Sequence, residues 1–268
     1  MSIGIFDSGI GGMTLLHQAM VSLPHEKYIF YADTDHVPYG TKSREQVISY
    51  VDEVMHFLAA YGCKAVVIAC NTATAVAAEV MRRKYTIPII GIEPAVKPAV
   101  AESHGKRVLV VATPLTVHEE KLINLVSRVD CSHQVDLLPL PRLVEFAERG
   151  EFVSDEVTAY LTAQLSGYDL FQYGELVLGC THFNFFKDSF RQILPSQVRM
   201  IDGSEGTIKQ LAHVLEERGE LVTQTEPKDN SIDIPVRYFY SGREVTDSQE
   251  LKHMKALHQR LELMRGIQ

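Results

Sequence analysis

Val66-Val67-Ile68-Ala69-Cys70-Asn71-Thr72 and, 110 positions on, Leu176-Val177-Leu178-Gly179-Cys180-Thr181-His182 decide how this chain folds. Each is a short aliphatic run ending in a small residue, a cysteine, polar residues and a helix start. Such a run, bounded by turn signals, reads as a buried strand. Working outward, residues 3–6, 28–32, 65–69 and 87–92 read as strands. Between them, 14–23, 43–61 and 74–85 carry apolar positions at helical spacing, as in the stripe Val47, Val51, Val54, Leu58 and Tyr61. Strands alternating with helices predict a doubly wound, mostly parallel sheet.

The pattern then restarts. Residues 107–112, 176–179 and 198–201 read as strands, with 143–152 and 155–165 as helices. A further strand is expected at 237–240 and a closing amphipathic helix at 250–264, while the stretch around Pro94, Pro98 and Gly105 reads as a connection. The expectation is therefore an α/β chain of two similar doubly wound, mostly parallel-sheet domains facing each other across a cleft. The first, on the Cys70 side, spans 1–97 and is completed by 207–268; the second, on the Cys180 side, spans 98–206.

The 268 residues are 46% hydrophobic and 22% charged, ordinary for a globular protein. Met1-Ser2-Ile3-Gly4-Ile5-Phe6 leads straight into a strand rather than a targeting segment, and the apolar run 65–70 is far too short to cross a bilayer. A cytoplasmic location and no membrane partner are expected. The net charge of −8, with no basic run longer than Arg82-Arg83-Lys84, argues against nucleic acid as a partner. An anionic substrate would have to be captured locally, by N–H groups at turns and helix starts.

Cys63, Cys70, Cys131 and Cys180 show no Cys-x-x-Cys spacing, so neither a metal site nor a disulfide framework is expected. A lone cysteine is ordinarily a small buried hydrophobe. Cys63 and Cys131 keep that reading. Cys70 and Cys180 stand at strand ends, where open α/β sheets bind ligands, together with Asp7 and Thr113. A thiol beside the helix start at Asn71-Thr72-Ala73-Thr74 is expected to gain thiolate character there. His182 is close enough to Cys180 to tune it or relay its proton, whereas His36, His104, His118 and His133 lack such neighbours.

Asp7-Ser8-Gly9-Ile10-Gly11-Gly12 looks like a phosphate loop, but Thr14 stands where the third fingerprint glycine belongs and no Walker lysine follows. Close backbone approach to a small ligand is the better reading, with Asp7 as a charged group at the strand end. Pro38-Tyr39-Gly40 reads as a turn able to present N–H groups or a ring to the cleft. Two thiols at equivalent strand ends suit inversion of a stereocentre, which needs a base on one face of the carbon and an acid on the other. A cysteine hydrolase would leave the second thiol without a role.

These motifs resemble the cofactor-independent aspartate/glutamate racemases, and the glutamate racemases in particular. The resemblance is carried by Phe6-Asp7-Ser8-Gly9-Ile10-Gly11-Gly12, Pro38-Tyr39-Gly40, Ala69-Cys70-Asn71-Thr72-Ala73-Thr74, Gly91-Ile92-Glu93-Pro94, Ala112-Thr113-Pro114 and Gly179-Cys180-Thr181-His182. It implies that Cys70 and Cys180 are the two proton donor/acceptors, Cys70 acting on the D isomer and Cys180 on the L isomer. Asp7 would assist Cys70, and His182 would assist Cys180. Asp7, Ser8, Tyr39, Gly40, Asn71, Thr72, Thr181 and His182 would hold glutamate, with Thr113 and Thr116 as weaker candidates. No cofactor and no metal would take part. The resemblance further implies a bacterial cytoplasmic homodimer that supplies D-glutamate for peptidoglycan. Asn184 stands where the family usually has proline.

The alternatives are an aspartate or hydantoin racemase of the same superfamily and a two-domain binding protein for an anionic metabolite. A pyridoxal-phosphate racemase would need a Schiff-base lysine that no motif marks.

Overall fold

A computed structural model describes residues 1–223 and 236–267. Its strands are β1 (Ile3–Asp7), β2 (Tyr28–Ala32), β3 (Ala65–Ile68), β4 (Ile89–Gly91), β5 (Arg107–Ala112), β6 (Val135–Pro139), β7 (Tyr173–Leu178), β8 (Arg199–Ile201), β9 (Val236–Tyr240) and β10 (Arg243–Glu244). The first sheet has the order β10-β9-β2-β1-β3-β4 and the second β6-β5-β7-β8. Every neighbouring pair is parallel except the short β10 on β9. This is the expected α/β architecture of two mostly parallel sheets.

β1 and β7 are buried along their whole length, as expected of central strands covered on both faces. On one face of the first sheet the helices Arg44–Ala60 and Asn71–Lys84 pack together, and Val47, Val51, Val54 and Leu58 join Phe6, Val66 and Ile68 in one apolar cluster. Tyr61, read as part of that stripe, caps the helix end and is largely exposed. Ser43 starts the same helix with a capping box to Gln46, which satisfies two backbone donors that would otherwise be orphaned. A second cluster runs from Ile5, Leu15 and Val67 through to Leu109, Leu176 and Phe183, so one continuous core joins the two sheets.

Several boundaries differ from the sequence reading. The stretch read as a connection contains the helix Val96–Glu102, which packs on β5 and β7. β6 was not expected; it is an edge strand that ends in Pro139, where a missing N–H costs nothing. The helix expected over 143–152 is Pro141–Glu148 and leaves Phe152 outside it. In the last part of the chain, β9 pairs with β2 in the first sheet, and the helix Ser204–Glu217 packs on the helix Met13–Ser22. Lys64 clips the following leg to this unit, because its Nζ donates to Glu26 and to the Glu220 carbonyl. Residues 224–235 and 268 of the expected completing segment lie outside the described residues. Among the described residues no helix is long and apolar enough to cross a membrane.

Candidate active site

Parallel strands present their carboxyl ends on one edge of each sheet. Here β1, β3, β5 and β7 lead into Ser8, Cys70, Thr113 and Cys180. These residues meet around a narrow pocket that is also lined by Tyr39, Gly40, Asn71, Thr72, Thr181, His182 and Val144. All the expected substrate-binding residues line it except Asp7, which lies fully buried behind Ser8 and Thr181, and the weaker candidate Thr116, which is buried beside Thr72 and Thr113. No lysine or arginine is among the lining residues, so an anion there would meet hydroxyls, an amide and N–H groups. Cys63 and Cys131 stand apart from it; Cys63 is buried as expected, whereas Cys131 is exposed.

The helix after β3 begins at Asn71 rather than at 74, and Cys70 itself is the cap: its Sγ accepts from the Ala73 N–H at 3.4 Å. Ser8 Oγ lies 3.6 Å from Cys70 Sγ and donates to Asp7 Oδ1 at 3.2 Å. A hydroxyl has one proton, so with that proton on Asp7 the Cys70 thiol is the donor to Ser8. The sequence expectation of enhanced thiolate character fails here. Burial, with the Asp7 charge second, pushes the Cys70 thiol up to about 12, and the helix-start N–H does not offset it. Asp7 is raised as well, by burial, against the opposing pull of the His182 charge and of donors from Gly9 and Thr181. Asn71 is buried, and its Oδ1 meets no donor among the described residues.

Cys180 is in extended conformation and opens the 3-10 turn Thr181–Phe186. His182 Nδ1 lies 3.7 Å from Cys180 Sγ, and its Nε2 is 2.6 Å from Glu148 Oε1, which also accepts the Ile10 N–H at 2.8 Å. Burial opposes charge on His182, yet contacts with Cys180 and Glu148 outweigh it and hold the imidazole well above its ordinary value. Glu148 went unnoticed in the sequence. It ends its helix among other charged residues, Glu145, Arg149 and Glu151, and no spacing singles it out.

The two units are stitched together at the pocket. Thr181 Oγ1 donates to Asp7 Oδ2 at 2.9 Å, and Thr14 Oγ1 donates to the Thr181 carbonyl at 3.0 Å. Thr72, Thr113 and Thr116 form a buried triangle of hydroxyls with separations of 2.9 to 3.0 Å. The glycines of the first loop were read as room for a ligand, but the closest approach is by the opposite unit. A Cβ on Gly11 would stand 2.4 Å from His182 Nδ1 and 2.5 Å from Thr181 Oγ1.

The 38–40 turn is held from behind. Tyr39 Oη donates to Asp33 Oδ2 at 2.6 Å, and Ser241 Oγ donates to Asp33 Oδ1 at 3.0 Å. His36, which has no strand-end thiol beside it in the sequence, lies with its Nδ1 2.9 Å from Asp33 and stacks its ring on Tyr50 at 3.8 Å. Ser241 arrives from 208 positions beyond Asp33, a contact that a linear reading does not bring together.

Replacing Glu148 with glutamine removes an acceptor charge from His182, so its imidazolium should lose its proton at lower pH than in the unmodified chain, as read by NMR of the ring protons. A folded-state value raised above the unfolded one stabilises fully below about pH 6.5 and is lost as pH rises through the folded value. The destabilisation by Glu148→Gln should therefore be largest at about pH 5 to 6.5 and shrink at alkaline pH, as urea midpoints will report.

Residues 13–211 match the family described as Asp/Glu/Hydantoin racemase. The chain is 50% identical to a glutamate racemase of Lachnospira eligens, over all of both chains. It is also 50% identical to glutamate racemase 2 of Bacillus subtilis, over 98% of this chain and 97% of that one. Among solved structures, the glutamate racemase of Francisella tularensis in complex with D-glutamate superposes with a TM-score of 0.79 at 28% identity, covering 96% of this chain and 93% of the other. A family match that spans most of the chain, with its strand-end thiols gathered in one pocket, leaves one assignment: the protein is an isomerase belonging to the Asp/Glu/hydantoin racemase family.

Proposed function

We propose that this chain interconverts L- and D-glutamate, without a cofactor, by passing protons between the substrate α-carbon and two thiols, Cys70 and Cys180. The observation that carries the reading is that both thiols, from matching strand ends of the two units, line one pocket. Inversion needs one group to remove the α-proton while the other delivers a proton to the opposite face, and the two roles exchange in the reverse direction. Cys70 stands protonated, as the acid, when Cys180 is the base. His182 is placed to take or return the Cys180 proton through Nδ1. Asp7, reached from Cys70 through Ser8, is placed to do the same on the other face. The names of the relatives support glutamate as substrate. Its carboxylates would be held by N–H groups of Ser8, Asn71, Thr72 and Thr181, with the free Oδ1 of Asn71 open to an ammonium donor. The family resemblance extends the reading to supply of D-glutamate for peptidoglycan by a cytoplasmic homodimer.

Pure protein incubated with L-glutamate in heavy water should lose optical rotation while deuterium enters the α-position, and L-aspartate should turn over more slowly. Absence of both inversion and exchange on glutamate would end the reading.

A further inference from the structure

The closing helix Ser248–Arg265 buries Met254, Leu257, Leu261 and Met264 and packs on both the helix Met13–Ser22 and the turn Thr181–Phe186. One polar side chain carries that contact further. Arg260 Nε and Nη2 both donate to the Phe185 carbonyl, at 3.1 and 2.8 Å, and Nη2 also donates to Asp188 Oδ1 at 2.7 Å. Its guanidinium lies 5.6 Å from the Phe152 ring, which in turn stacks on Phe185 at 5.0 Å. The side chain is only 16% exposed.

Phe185 sits at the junction where the 3-10 turn passes into the helix Lys187–Ile193. Carbonyls at such junctions lack an in-helix partner, and Arg260 supplies a planar fork in place of one. At the other end of the turn, Thr14 holds the Thr181 carbonyl. The two backbone anchors, at Thr181 and Phe185, hold the turn that carries Thr181 and His182, the two residues after Cys180, which reach Asp7 and Glu148. Among the described residues Cys70 itself does not touch this clamp; it meets Ser8 and the helix start at Asn71, and the turn reaches it only through Thr181, Asp7 and Ser8.

We propose that Arg260 is a positioning residue for the Cys180 half of the site: by holding the Phe185 carbonyl from the closing helix, it fixes the turn on which Thr181 and His182 stand. The proposal rests on the two-thiol reading above. Arg260 touches neither thiol and acts through the backbone of the turn.

The test compares Arg260→Ala, Arg260→Lys and Asp188→Asn in the full chain. Displacements well below an ångström are enough to matter in an aligned site, so Arg260→Ala should lower kcat/KM for glutamate by about 10- to 100-fold. Iodoacetamide labelling, followed by mass spectrometry, should show a clearly larger change in the Cys180 rate than in the Cys70 rate, which the turn reaches only through Thr181, Asp7 and Ser8. Labelling needs no turnover, so it tests positioning independently of the racemase reading. Asp188→Asn keeps the fork on Phe185 and should stay near the unmodified rate. Arg260→Lys keeps the positive charge but not the fork, and should recover only part of the loss. Full recovery by lysine would overturn the proposal, because charge alone would then suffice. So would an unchanged kcat/KM in Arg260→Ala, or equal changes in both cysteine labelling rates together with a lowered melting temperature. Racemisation that survives in Cys180→Ala would remove the two-thiol reading and this proposal with it.

Discussion

Cys70→Ala and Cys180→Ala should each abolish inversion of glutamate, with rates falling by roughly 10³- to 10⁴-fold, the upper range for loss of a positioned acid or base. The stronger signature is asymmetry. Each variant keeps one thiol on one face of the α-carbon, so it can still remove and return a proton on that face. In heavy water, Cys70→Ala should exchange the α-proton of one isomer without inverting it, and Cys180→Ala should do so with the opposite isomer. Proton NMR at the α-position, read beside optical rotation, separates the two events. Exchange of both isomers by either single variant would show that one group reaches both faces, which the matched strand ends do not provide. The raised Cys70 thiol adds a constraint. A thiol pushed up to about 12 stands protonated and so is available as the acid, whereas its thiolate, a strong base once formed, is scarce, so the reverse step depends on Ser8 and Asp7 to draw the proton away. Electrostatic preorganisation of this kind gains strength where water is excluded.

Gly11→Ala should have the next largest effect on activity while leaving both thiols in place. The added methyl would lie 2.4 Å from His182 Nδ1, the atom that faces Cys180, and 2.5 Å from Thr181 Oγ1, which holds Asp7. Neither neighbour can retreat freely, because His182 is tied to Glu148 and Thr181 to Asp7 and Thr14. Overpacking of a buried contact typically costs about 1–3 kcal/mol of stability, which denaturant midpoints will measure. Displacement of His182 from Cys180 should lower kcat/KM by about 100-fold. Unchanged activity in a chain with normal stability would mean that the loop and the turn move apart without consequence, against the close packing seen here.

Much of the molecule is legible in the linear chain, and for definite reasons. Strands buried on both faces must be nearly uninterrupted aliphatic runs, so β1, β2, β3, β5 and β7 announce themselves by composition. Helices that bury one stripe repeat at three and four residues, as Val47, Val51, Val54 and Leu58 do. Short edge elements such as β6 escape because one neighbour and a terminal proline leave little pattern to read. The pairing of Cys70 with Cys180 was likewise visible, since both follow the same kind of strand into polar residues, although Cys70 then caps an α-helix and Cys180 opens a 3-10 turn.

The chain by itself therefore determined which residues stand at the strand ends, because local periodicity and turn chemistry are encoded within a few positions of each residue. Only the tertiary structure decided what those residues face. Glu148 reaches His182, Asp7 reaches Thr181, Arg260 reaches Phe185 and Gly11 makes room for the opposite turn, across separations of tens to hundreds of residues that leave no periodic trace. The ionisation of Cys70 belongs to the same class. A helix start nearby in sequence favours the thiolate, but burial and the Asp7 charge, which depend on how the two units close, outweigh it.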